Sequence, residues 1–194
     1  MLNKNLIKEN PKKQQAGFSL IEAVVAIFIL TIGLLGTAAA ITYAVEFSNL
    51  SRNVSGAKSV IVASIEEIES LRNSQRLDFK QVENVGAVDN TNTPSVFNGF
   101  SVGYKDVSFN PGPDGVNGTD DDLRNAGADG TYGTGDDFDD LSWIRNGYRR
   151  QITITNLSDT LKKIEVKIQY QGTSGRIGEL TGVCYLNDES RLTR

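Results

Sequence analysis

From Ala23 to Val45 the chain runs for 23 residues without a charged side chain. That is enough to cross a bilayer core of roughly 30 Å at about 1.5 Å of helical rise per residue. Beyond Val45 the period persists but the composition changes. Ala57, Val60, Ile61, Ser64, Ile65, Ile68 and Leu71 recur on one helical stripe, while Lys58, Glu66, Glu67, Glu69 and Arg72 take the other faces. No proline lies between Pro11 and Pro94 to interrupt either half. The pattern predicts one helix from Phe18 to about Arg72: a membrane-suited segment at 18–45, then an amphipathic continuation at 46–72 with one side buried against a soluble domain.

After the helix, residues 73–110 read as a connecting segment, broken by Asn73, Gly86, Asn90, Asn92 and Pro94, and a first strand in which Phe100, Val102 and Tyr104 alternate with Ser101, Gly103 and Lys105. Gly99 to Gly103 fits the G-x-S-x-G pattern of a nucleophile elbow. With no histidine anywhere and no helix following, the match is read as chance, with Ser101 a solvent-facing strand residue. Residues 141–194 form an orderly sheet. Tyr148, Arg150, Ile152 and Ile154 alternate with polar neighbours, then Ile164, Val166, Ile168 and Tyr170, then a strand within Arg176 to Leu186, joined by turn-like stretches. The fold class expected is α+β, a long helix on an antiparallel sheet of about four strands.

Residues 111–140 are different in kind. Gly112 to Asp122 and Gly127 to Asp137 repeat the pattern G-x-D-G-x-x-G-T-x-D-D at a period of 15, and nine aspartates between Asp114 and Asp140 face only Arg124. So many carboxylates repel one another unless solvated or neutralised. Calcium suits them, since it takes 6–8 oxygen ligands, accepts backbone carbonyls and is helped by glycine turns. Asp114, Asp120, Asp122, Asp129 and Asp137 are the candidate ligands, chosen by repeat position. The stretch resembles Asp-Gly-rich calcium loops of secreted bacterial proteins; the alternative is a solvated acidic loop that binds nothing specifically.

Composition narrows the functions open to the chain. One cysteine, Cys184, excludes an internal disulfide, and the absence of histidine excludes His bases, triads and metal ligands together. Without residues 1–17, which hold four Lys and one Glu, 16 basic residues face 23 acidic ones, a net charge of −7. That balance argues against nucleic-acid binding as a bulk property.

The basic stretch 1–17 precedes the apolar run and would keep that end in the cytoplasm, with the remainder outside. Glu22 stands at the head of the run, where a carboxylate in lipid costs on the order of 3 kcal/mol. It is either paired or at the interface, reaching water. An ordinary secretory signal, cut near Ala38-Ala39-Ala40, is the competing reading. Together the Lys-rich leader, Gly17-Phe18-Ser19-Leu20-Ile21-Glu22 and the apolar helix resemble the class III signal of type IV prepilins and pseudopilins. The resemblance implies a leader at 1–17, removed by prepilin peptidase between Gly17 and Phe18, with methylation of the new N-terminus. It also implies that Glu22 pairs with the Phe18 amino group of a neighbouring subunit, each charge lifting the other's desolvation penalty. Other pilin subunits, the peptidase and the assembly platform of the inner membrane become the expected partners, and the expected product is a non-enzymatic subunit of a pilus or a type II secretion pseudopilus. Ile32 to Gly36 and the Arg- and Thr-rich C-terminal strands are most similar to minor pilins of the PilV kind. Unlike the best-known major pilins, the chain lacks a cysteine pair to close a C-terminal loop.

Overall fold

The computed structural model describes Gly17, residues 19–91 and residues 96–188; residues 1–16 of the expected 1–17 leader and Phe18 lie outside the described residues. One helix, α1, runs unbroken over Leu20–Asn73, 54 residues. The chain divides into two compact units, residues 1–45 and residues 46–194.

In the first unit every described side chain is exposed, including Leu20, Phe28, Leu30 and Leu34. Three hydroxyls in this unit bond back to the helix: Thr31 donates to the Ile27 carbonyl at 2.8 Å, Thr37 to Leu34 at 2.8 Å and Thr42 to Ala38 at 3.1 Å.

In the second unit the stripe expected from the period is the stripe that is buried. Ala57, Val60, Ile61, Ser64, Ile68 and Leu71 are all buried, and Ile65 packs at their margin. Past Asn73 the helix closes with Gln75 in the left-handed region at φ 59°. The Arg76 N–H reaches the Leu71 carbonyl and Gln75 N–H that of Arg72, both at 2.9 Å. This pair of bonds satisfies carbonyls that a helix end otherwise leaves free.

Four strands form an antiparallel sheet in the order β1-β4-β5-β6: β1 Lys105–Ser108, β4 Ile144–Ser158, β5 Leu161–Gln171 and β6 Ile177–Asn187. A second, two-stranded sheet pairs β2 Arg124–Asn125 with β3 Phe138–Asp139. In β5 the alternation is nearly complete, with Lys162, Ile164, Val166 and Ile168 buried between half-buried neighbours. Ile164, Val166 and Ile168 join the α1 stripe in one core, helped by Gly182 of β6, where a Cβ would run into Ile61. Each buried Ile or Val contributes on the order of 1.5–3 kcal/mol. The polar face carries Lys163, Glu165 and Lys167, with Glu165 bonded to Lys163 at 2.6 Å and to Lys167 at 3.2 Å.

The connecting segment is part of the core. Leu77, Phe79, Val82, Phe97 and Phe100 are buried in it, and the Asn84 side chain pairs with the Ile154 backbone in both directions, at 2.9 and 2.8 Å. Lys162 Nζ donates to the Val82 carbonyl at 2.9 Å and to Glu83 at 2.7 Å.

Two expectations fail at residues 100–104. The first strand begins only at Lys105, because Phe100 is occupied elsewhere: its N–H bonds Glu83 and its carbonyl accepts from Val85, both at 2.9 Å. Gly99 makes this approach possible at φ 99°, where a Cβ would collide with the Asn84 carbonyl group. Ser101 is not solvent-facing but buried, donating to Asp120 at 2.6 Å. Its polarity reflects an internal partner.

Candidate functional site

Two regions carry the chemistry read from the sequence. At the head of α1, Gly17 is exposed and Glu22 lies in the first helical turn. There the unpaired N–H groups and the helix dipole favour a carboxylate. From Ser19 to Asn49 no described side chain is covered, so the apolar surface requires lipid or other helices around it.

The acidic region is a structural repeat down to single hydrogen bonds. In the first copy Asp114 Oδ1 accepts from Val116 N–H at 2.8 Å, Thr119 Oγ1 donates to Asp121 Oδ1 at 2.5 Å and to the Val116 carbonyl at 3.1 Å, and Asp122 accepts from Gly118 N–H at 2.8 Å. In the second copy Asp129 accepts from Thr131 at 2.8 Å, Thr134 donates to Asp136 at 2.6 Å and to the Thr131 carbonyl at 3.0 Å, and Asp137 accepts from Gly133 at 2.8 Å. The repeat also reaches further back than its glycine pattern: Asn110 accepts from Gly112 N–H and Asn125 from Gly127 N–H, each at 3.1 Å. Gly112 and Gly127 adopt φ 67° and 65°, and a Cβ at either would strike the carbonyl of Asp121 or Asp136. The glycines and aspartates are thus required by the turn itself: carboxylates that repel one another are held by backbone donors.

Each copy ends on an aspartate paired with an arginine, Asp122 with Arg150 at 3.1 Å and Asp137 with Arg124 at 3.6 Å. The copies differ in burial. The first is tied to α1, where Glu67 accepts from Asn117 N–H and Nδ2 at 3.1 and 2.9 Å. Its Thr119 is 2 % exposed, whereas Thr134 bonds on the surface.

The five expected ligands are therefore dispersed. Asp114 and Asp122 belong to the first copy and Asp129 and Asp137 to the second. Asp120 turns to Ser101 at 2.6 Å and Lys105 at 3.2 Å, and the Ser101 hydroxyl foremost holds its carboxyl below the usual range. Among the described residues no three Asp, Glu, Cys or His side chains are grouped to hold a metal ion. Two acceptors do stand without a donor, Asp114 Oδ2 and Asn117 Oδ1, both buried. Burial, with Asp121 and Asp122 beside it, pushes Asp114 up to about 7 against the opposing Val116 N–H. Burial also raises Asp122 and lowers Arg150, while their mutual attraction opposes both shifts.

Arg150 was on the core face in the sequence pattern, but nothing there marked it as the counter-ion of the repeat. The alternation that carries Ile152 and Ile154 inward was the signal.

Residues 12–38 match the family model of the prokaryotic N-terminal methylation motif. No curated protein and no solved structure matches the chain.

Proposed function

We propose that this chain is a minor pilin or a pseudopilin, a structural subunit that assembles into a filament through its N-terminal helix after prepilin peptidase cleavage. The N-terminal methylation motif at residues 12–38 carries the reading, and it supports a pilin-like subunit and not an enzyme. The uncovered apolar helix and the α+β arrangement that follows it in the chain suit such a subunit, anchored in a membrane before it is assembled. Cleavage after Gly17 would leave Phe18 as a methylated N-terminus, and Glu22 would meet that amino group on a neighbour. Mass spectrometry of the mature N-terminus tests this directly. A chain beginning at methylated Phe18, with processing blocked in Gly17→Ala, is expected; a chain beginning near Ile41 would overturn it. Glu22→Ala should still insert, since a charge is removed from the apolar segment, yet fail to enter filaments.

A second reading concerns the acidic repeat, which would serve a membrane-anchored or tip-located head as a calcium-dependent binding module. The observation in its favour is the pair of buried acceptors without donors, Asp114 Oδ2 and Asn117 Oδ1, in a loop rich in carbonyls. Calcium would draw on those oxygens and on backbone carbonyls, whereas magnesium demands a stricter octahedron and keeps its waters. The full chain in detergent should melt higher in calcium than in chelator, with magnesium substituting poorly. Equal melting in all three conditions would leave the repeat as a self-bonded loop.

A further inference from the structure

We propose that Lys162 and Asn156 become joined by an isopeptide bond, formed within the folded chain with Glu83 as the proton carrier. The two residues stand directly opposite each other on the β4–β5 ladder, where facing Cβ atoms are about 4.5–5.5 Å apart on one side of the sheet. Both reach the same carboxylate oxygen. Glu83 Oε1 accepts from Lys162 Nζ at 2.7 Å and from Asn156 Nδ2 at 2.6 Å. A primary amine, a carboxamide and an acid–base group are thus brought together from two strands and the connecting segment. The fold holds each of them there. Asn84 locks its side chain to the Ile154 backbone in both directions, which fixes its neighbour Glu83 against β4. The Val82 carbonyl accepts from Nζ at 2.9 Å, and the centre of the Phe79 ring lies 4.7 Å from Nζ.

Burial sets the direction of the chemistry. The Lys162 and Glu83 side chains are 5 % and 10 % exposed, and two charges so placed carry a desolvation cost. Passing one proton along the 2.7 Å bond leaves a neutral acid beside a neutral amine, the nucleophilic form. Nζ then attacks Asn156 Cγ and the Cγ–Nζ bond forms. Glu83 gives its proton to Nδ2 as it takes the second one from Nζ, the Cγ–Nδ2 bond breaks, and ammonia leaves. The oxygen that faces the amine also faces the departing nitrogen, the placement a general acid–base relay needs. Glu83 ends as the neutral acid, and no oxidant or co-reactant is consumed. Amides yield slowly to free amines, but groups held in contact gain effective molarities of about 10⁵ M or more. Asn156 is exposed at an open cavity of about 480 Å³ that Glu83 and Lys162 also line, which gives ammonia a way out. The bond would fasten the tip of the hairpin around Leu157, Ser158 and Asp159, all exposed, where proteolysis otherwise concentrates.

Tryptic mass spectrometry of the folded full chain in detergent provides the test. Trypsin does not cut after an acylated lysine, so the bond should yield one peptide spanning residues 151–163, about 17 Da lighter by the ammonia lost. No fragment ions should arise from between residues 156 and 162. Asn156→Ala, a change at an exposed position that the fold tolerates, and Lys162→Arg should each restore the full mass and cleavage after residue 162. Glu83→Gln keeps the shape but not the acid–base group, and should leave the chain uncrosslinked. Complete cleavage after Lys162 in the wild type overturns the proposal. A loss of ammonia that survives in Lys162→Arg would be Asn156 closing on its own backbone, and overturns it too. A bond that forms equally well in Glu83→Gln overturns the assignment of Glu83 as the proton carrier.

Discussion

Arg150 and Asp122 meet at 3.1 Å with 5 % of each side chain exposed, and Arg150 also donates to Ser64 of α1 at 3.1 Å. One guanidinium therefore joins the acidic repeat, the sheet and the helix. Removing one partner strands the other charge in the interior. Asp122→Ala should cost about 3–5 kcal/mol, measured by denaturant unfolding of the full chain in detergent. Replacing both by apolar residues of similar size should cost much less than the sum of the single changes. Additive losses would mean that Asp122 acts through its bonds to Gly118 and Thr119 instead.

The two copies of the repeat allow an internal comparison. Thr119→Val takes the hydroxyl donor from the Val116 carbonyl and from Asp121 Oδ1, and should destabilise the protein by about 1–3 kcal/mol. The same change at Thr134 frees groups that water can reach, and should cost less than about 0.5 kcal/mol. Equal losses in unfolding experiments would show that the second copy is as integral to the core as the first.

Asp114 gives the repeat a pH dependence of definite sign. Its carboxyl titrates near 3.8 when unfolded and is pushed up to about 7 in the fold, so the native state holds the proton more tightly. Its contribution is fully present below about pH 4 and lost as pH rises through 7. Asp120, Asp136 and Asp140 are shifted down and act in the opposite sense toward acid. The difference between wild type and Asp114→Asn isolates the residue: the variant's melting temperature should gain on wild type from pH 4 to 7 and run parallel above. Parallel curves throughout would remove Asp114 from the balance.

Cys184 is half-buried and donates its thiol to Glu69 at 3.2 Å. Burial, and then the Glu69 carboxylate, push it up to about 11. Because the thiolate is the nucleophile, alkylation should be slow at pH 8 and still accelerating at pH 10. Glu69→Gln should hasten it; an unchanged rate would assign the suppression to burial alone.

How far the chain could be read without coordinates depended on whether a pattern was local. The α1 stripe and the strands after Ile144 obey a period that one element sets for itself, and Ile61, Ile68, Ile152 and Val166 all lie where that period put them. The alternation at Phe100, Val102 and Tyr104 had the same appearance but was too short to resist tertiary contacts, and Phe100 went into the core through Glu83 and Val85. Arg150 falls on the inward alternation and Lys162 one strand away, but nothing in the sequence names their partners, because Asp122 and Glu83 are distant along the chain. In the acidic repeat the residue types were plain, but the same Asp and Gly serve an ion site and a backbone-capped turn alike. Only the hydrogen bonds reveal how many of the carboxylates are already engaged.

Those turns have a genetic corollary. Leu123 N–H bonds the Asn110 carbonyl at 3.3 Å, and Asn125 stands opposite Phe138 at the same point of the next copy, so each unit departs from the protein and returns to the place it left. Duplicating such a unit lengthens the gene by fifteen codons without displacing β1 from β4. The second copy, lying outside the core that constrains the first, is free to diverge. Heads of different reach and charge could be inherited on one unchanged sheet, by slippage at a single site.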